Sequence, residues 1–209
     1  EFRRVLFRSA LTTPVTTTGQ SIGGWKDKSG NGRNYVNDGS KPSYTTLNTV
    51  SFNSGFLSCS TLPAGSKNLD MFIVTKPKPA SAGDWRTLFR GNSTDHHVII
   101  YAGDTQLGAY YNASGFSQYG SLRLDGSARV LLHVSISSTN VQSASLNGNL
   151  TMSQAGSTSG NDNIYNLGAY QGGSQFWGDI NEIIIYNVNL GDSIKQQIFS
   201  YLNAKWIIY

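Results

Sequence analysis

Between residues 129 and 137 the chain alternates without a break: Val130, Leu132, Val134 and Ile136 fall on one side, Leu131, His133 and Ser135 on the other. A two-residue period fits the pleat of a β-strand and no helix. Residues 69–76, 87–90, 98–101, 106–111, 141–146 and 176–186 read as further strands, several of them rich in β-branched and aromatic residues. The first of these is apolar on both faces at its centre, as expected of a strand covered on both sides, and Pro77 ends it.

Turn signals separate these runs. Gly23-Gly24 and Ser29-Gly30-Asn31-Gly32 reverse the chain early. Asn147-Gly148 supplies the positive φ angles of a type I′ turn, which predicts a two-residue hairpin joining 141–146 to 149–153. One segment has a different period: Leu190, Ile194, Ile198, Leu202 and Trp206, with Tyr201 beside them, oppose Ser193, Gln196, Ser200 and Asn203. It predicts a closing helix docked on the sheets, with Gly191 or Asp192 at its start.

A chain of 209 residues with 23 Gly and only 13% charged residues suits one β-sandwich with many turns. The expected fold is all-β: a jelly-roll β-sandwich of two antiparallel sheets with one C-terminal α-helix. No apolar run approaches the ~20 residues of a membrane-crossing helix, so no membrane insertion is expected. Cys59 is the single cysteine, which excludes an internal disulfide.

The first nine residues, Glu-Phe-Arg-Arg-Val-Leu-Phe-Arg-Ser, match one reading frame of a common sequencing-adapter oligonucleotide. They are set apart as non-native, and residues 10–209 are taken as one domain, truncated at its N-terminus and once joined to other domains of a larger protein. Removing Arg3, Arg4, Arg8 and Glu1 removes a net +2 and leaves +2 of the formal +4. The remaining Lys and Arg are scattered, without the clustered stripe of a nucleic-acid binder.

Two stretches carry a resemblance to a known family. The run Trp25 to Gly32 is similar to the early W-x-D-x-S-G-N-G turn of laminin-G-like domains in the concanavalin A-like lectin/glucanase superfamily. Phe176 to Asn187, followed by Leu190, is similar to that family's late F-x-G-x-I-D-E-V-x-I-Y-N-x-x-L strand. The ending from Tyr201 to Trp206 resembles the Y-L-x-x-K-W of its microbial and viral branch, so the likeness spans residues 22–206. It implies the jelly-roll fold, whose members recognise glycans, adhere to proteins or hydrolyse glycosides; the fold alone names no activity. Asn181 stands where the family has an acid, which weighs against calcium.

Glycoside hydrolysis requires two carboxyl groups about 5 to 10 Å apart. Outside the first nine residues the sole glutamate is Glu182, and Asp179, three positions away on the same strand, should face the other side. No enzyme is therefore expected. Asp95-His96-His97 has metal-ligand residue types, but adjacent strand histidines point oppositely. Asp27 with Asn31 resembles an oxygen-rich turn able to hold calcium; Asp27 can equally bond the turn's own amides. Aromatic faces stack on sugar rings, and Trp85, Tyr110, Tyr111, Tyr119, Tyr170 and Trp177 lie in or beside Gly-, Ser-, Asn- and Gln-rich loops. Each could instead pack in the core. Trp177, opposite Phe176 and Gly178 by alternation, is expected outside it.

The expectation is a non-catalytic carbohydrate-binding or adhesion module of a larger surface, fibre or virion protein. It would be extracellular, cell-surface or virion-associated, with a glycan or cell-surface polysaccharide as partner and no required cofactor. The other readings are a purely structural or assembly jelly roll, and an atypical glycoside hydrolase or polysaccharide lyase.

Overall fold

The computed structural model describes residues 5–8, 11–37, 39–45, 48–59, 68–91, 95–155, 164–170 and 175–209. In chain order the strands begin with β1 (Val5–Phe7), β2 (Gly24–Lys26), β3 (Tyr35–Val36), β4 (Ser43–Thr45), β5 (Thr49–Ser51) and β6 (Leu57–Ser58). The central ones are β7 (Leu69–Pro77), β8 (Arg86–Gly91), β9 (His96–Ile100), β10 (Gln106–Tyr111) and β11 (Gly115–Arg123). Then come β12 (Val130–Ile136), β13 (Gln142–Leu146), β14 (Ser153–Gln154), β15 (Ile164–Leu167), β16 (Gly178–Tyr186) and the helix α1 (Asp192–Trp206).

Two antiparallel sheets form a jelly-roll sandwich. One runs β1-β2-β3-β6-β15-β8-β9-β10-β11 and the other β14-β13-β12-β7-β16-β5-β4. Between them lies the main core, to which β7 gives Leu69, Met71 and Ile73, and β12 gives Leu132, Val134 and Ile136. The opposite faces of the same strands bury Phe72, Val74 and Leu131 against Ile198, Phe199 and Leu202 of α1. The two-sided apolar pattern of β7 thus has its cause: the sandwich covers one side and the helix the other.

Three details differ from the sequence reading. The helix buries Ile198, Phe199 and Leu202 but leaves Ile194 47% exposed. At 3.6 residues per turn each four-residue step overshoots by about 40°, so a strict i+4 series winds off the buried face. Asn147 and Gly148 do adopt φ 52° and 77°, and Asn149 N donates to Leu146 O at 3.2 Å, closing the expected turn. Pairing does not resume there, however: β13 meets β14 only at Ser143–Gln154 and Ala144–Ser153, because Asn147 instead exchanges bonds with Leu131 of β12. Finally, Val5–Phe7, within the stretch expected to be non-native, pairs with Gly24–Lys26 at the sheet margin. An open strand edge offers backbone partners to any extended segment whatever its side chains.

Candidate functional site

The outer face of the nine-stranded sheet is not covered by the helix, and its middle strands β8, β9 and β10 carry the polar and aromatic residues gathered there. Alternation along β10 sends Leu107, Ala109 and Tyr111 into the core and leaves Gly108 and Tyr110 outside. On β9 the register slips around His97, so His97 points inward to bond Gln142 at 2.9 Å while His96 stays outside, level with Tyr110. A bulge of this kind re-aims a side chain. Trp85 precedes β8, and Tyr170 and Gln175 come from the segment following β15. Thr87 N donates to Gln175 O at 3.1 Å, which fixes Gln175 beside β8.

Together Trp85, His96, Ile99, Tyr110, Asn112, Tyr170 and Gln175 line an open concavity of about 250 Å³. Its rings are ordered by edge and face contacts. Trp85 meets Tyr110 at 5.9 Å edge-on, His96 meets Tyr110 at 5.8 Å edge-on, and His96 stacks on Tyr170 at 5.7 Å. Such contacts lock orientation as well as bury area. Phe116 and the 41% exposed Tyr101 extend the aromatic strip beyond Trp85. The Arg90 guanidinium lies 4.9 Å from the centre of the Tyr170 ring. Among the described residues no Asp, Glu, Lys or Arg lines the concavity.

Burial, reinforced by Arg90 and His97, holds the His96 pKa down to about 3, so its imidazole is neutral in the folded protein. An unfolded histidine titrates near 6.5. Acidification through that window protonates the unfolded chain first, so this contribution is complete above pH 6.5 and declines as pH falls toward 3. Between pH 6.5 and 5 the loss from His96 should be about 2 kcal/mol. Urea midpoints across that range should fall for the wild type and fall less for His96→Gln; equal slopes would refute the effect.

Of the six aromatic candidates, Trp85, Tyr110 and Tyr170 meet in this concavity, and three do not. Tyr111 is in the core because it neighbours the outward Tyr110 on one strand. Tyr119 is fully buried, its hydroxyl bonding His97 O at 2.7 Å and Gln142 Oε1 at 2.8 Å. Trp177, expected outside, is 0% exposed and donates from Nε1 to Thr75 Oγ1 at 2.6 Å. The cause is Gly178, whose φ of 123° breaks the pleat, so Trp177 and Ile180 both turn inward.

Asp27 spends both carboxylate oxygens on its own turn: Ser29 N donates at 2.7 Å, Ser29 Oγ at 2.8 Å and Arg33 N at 3.1 Å. Burial pushes its pKa up, but those bonds outweigh it and hold the carboxyl below its usual value. Asn31 turns its amide to Ser29 Oγ at 2.8 Å. Among the described residues no three His, Cys, Asp or Glu side chains gather as a metal site.

The face assignment for Glu182 needs correction. Register slips between Ile180 and Glu182, and both Ile180 and Ile183 reach the core, so parity does not separate Asp179 from Glu182. Glu182 is nonetheless engaged: Trp206 Nε1 donates at 2.6 Å and Lys205 Nζ lies 2.8 Å away. His96, Asn112 and Gln175 were missed as site residues. Alternation from residue 98 would place His96 inward, and the bulge that reverses this has no sequence marker.

No protein-family model matches the chain, and no curated protein matches it in sequence. Solved structures do share its fold. A Trypanosoma rangeli sialidase in complex with sialic acid superposes with a TM-score of 0.56 at 14% identity, over 98% of this chain and 33% of its own. The binding domain of Paraclostridial Mosquitocidal Protein 1 gives 0.56 at 16%, over 86% of this chain and 50% of that one. The HCR/D F1240A mutant gives 0.58 at 13%, over 95% and 51%. The chain thus spans between 33% and 51% of the length of these structures, and the likeness is one of fold.

Proposed function

We propose that this β-sandwich is a non-catalytic carbohydrate-binding module of a larger surface, fibre or virion protein, with its ligand held in the concavity of Trp85, Tyr110 and Tyr170. The observation that carries this reading is their convergence: residues far apart in sequence bring three half-buried rings and the amides of Asn112 and Gln175 to one opening. Rings supply flat apolar faces for the C–H side of a sugar, and the amides supply hydrogen bonds for its hydroxyls. At about 250 Å³ the space is slightly below the ~300–1,000 Å³ usual for small-molecule sites and suits one sugar ring. A fold neighbour that is itself a binding domain, that of Paraclostridial Mosquitocidal Protein 1, is consistent with a binding role for the sandwich. The laminin-G-like assignment rests on the Trp25–Gly32 and Phe176–Asn187 motifs.

Among the described residues no carboxyl pair that could act as acid and base lines the concavity, which supports a non-catalytic reading. Calcium is not needed for a site built of rings and amides. A glycan array read with and without a chelator tests both points. The expected result is binding unchanged by chelation and reduced about tenfold or more by Trp85→Ala, with a cooperative thermal transition showing that the variant still folds. Absence of glycan binding would favour a structural role instead, and release of reducing ends from a polysaccharide would overturn the non-catalytic reading.

A further inference from the structure

The hydrogen-bond chain behind the concavity fixes which atoms face a ligand. Thr87 has one hydroxyl proton, and it gives that proton to Gln175 Oε1 at 2.9 Å. At 3.1 Å from His96 Nδ1 it must therefore accept, so His96 carries its proton on Nδ1 and keeps a lone pair on Nε2. Gln175, with Oε1 occupied, keeps the two N–H donors of Nε2. Both residues line the concavity, and neither remaining group makes another hydrogen bond among the described residues.

We infer that His96 Nε2 and the Gln175 amide form a donor–acceptor pair that reads the hydroxyl groups of an uncharged sugar and turns away anionic ones. A sugar hydroxyl can donate to the imidazole lone pair while accepting from the amide; two neighbouring hydroxyls can do so separately. A carboxylate or sulfate has no proton to give the imidazole and would set its lone pairs against that of Nε2. Among the described residues no Lys or Arg lines the concavity to bond such a group directly, and Arg90 lies against the Tyr170 ring. The neutral state of His96 makes the selectivity persist over ordinary pH. This inference rests on the glycan-binding reading and adds the class of sugar.

Saturation-transfer NMR and calorimetry on the full chain would test it, using methyl glycosides of glucose, galactose, mannose and N-acetylglucosamine beside N-acetylneuraminic and glucuronic acids. The expected result is binding of at least one neutral glycoside, with affinity flat between about 50 and 500 mM NaCl as befits an uncharged contact. Binding should weaken about tenfold or more in Trp85→Ala, and likewise in the near-isosteric Gln175→Glu, which replaces the donor by an acceptor. Acidic sugars binding in a Trp85-dependent way would overturn the inference and leave the glycan-binding reading standing. Binding that ignores Trp85→Ala, or no binding by any of these sugars, would overturn both.

Discussion

Gly178→Ala should melt at least several degrees below the wild type, and more than Gly83→Ala does. Gly178 has φ 123°, where a side chain is strained, and a Cβ there would stand 2.7 Å from Lys76 O and from Pro77 C. Gly83 shares the strain at φ 72° but opens onto empty space. Left-handed backbone costs a non-glycine residue about 1–2 kcal/mol, which is what Gly83→Ala should read. At Gly178 a forced separation from β7 adds about 1–3 kcal/mol more. It also threatens two bonds that tie the ends of β5 and β7 to the start of β16, Phe52 N to Gly178 O at 2.7 Å and Lys78 N to Trp177 O at 2.7 Å. A total of about 2–5 kcal/mol lowers the melting temperature of a domain this size by about 4–20 °C. Equal melting of the two variants would show that the strand start relaxes freely, and the explanation for the buried Trp177 would fail with it.

That glycine also marks where the sequence stops being legible. Strands β7, β10 and β12 could be read because each keeps its period over most of its length, and one or both faces are buried. The helix could be read because it is the one segment with a four-residue repeat. What misled was parity at three points, Gly178, Asn181 and His97, where a positive φ or an extra residue reverses the faces beyond it. Each reversal moved a residue of interest: Trp177 inward, Asp179 to the face of Glu182, and His96 outward. Tyr110 and Tyr111 are the opposite case, since simple alternation already forbade both from facing a ligand. The concavity itself was not visible because it is a product of strand order. β15, β8, β9 and β10 are neighbours in the sheet, but β15 is remote in the chain, so Tyr170 and Gln175 arrive beside Trp85 only after folding.

Glu182→Ala should destabilise the domain by about 2–4 kcal/mol, and the loss should be localised at the helix. The carboxylate is almost fully buried, and on it converge Trp206 Nε1 at 2.6 Å and Lys205 Nζ at 2.8 Å, with the Tyr201 hydroxyl at 3.5 Å. All three partners lie on the last turns of α1, so one side chain of β16 pins the end of the helix. Deleting a member of a fully buried ion pair costs about 3–5 kcal/mol because the other charge is stranded. Lys205 is 40% exposed and can turn toward water, which lowers the figure, but the indole N–H loses its acceptor. The melting temperature should fall by about 4–16 °C, with hydrogen exchange quickening first near residues 201–206. Burial pulls the Lys205 pKa down, but the bonds to Glu182 and Tyr201 outweigh it and raise the value. The stabilisation is therefore present below the unfolded lysine's pKa of about 10.4 and disappears as pH climbs through the folded value. Glu182→Gln discriminates this role from catalysis. It preserves shape and an acceptor for Trp206, so a structural glutamate predicts an intermediate loss of stability and unchanged sugar binding. A catalytic acid would instead show wild-type melting with any hydrolysis abolished, and that pattern would overturn the structural role proposed for Glu182.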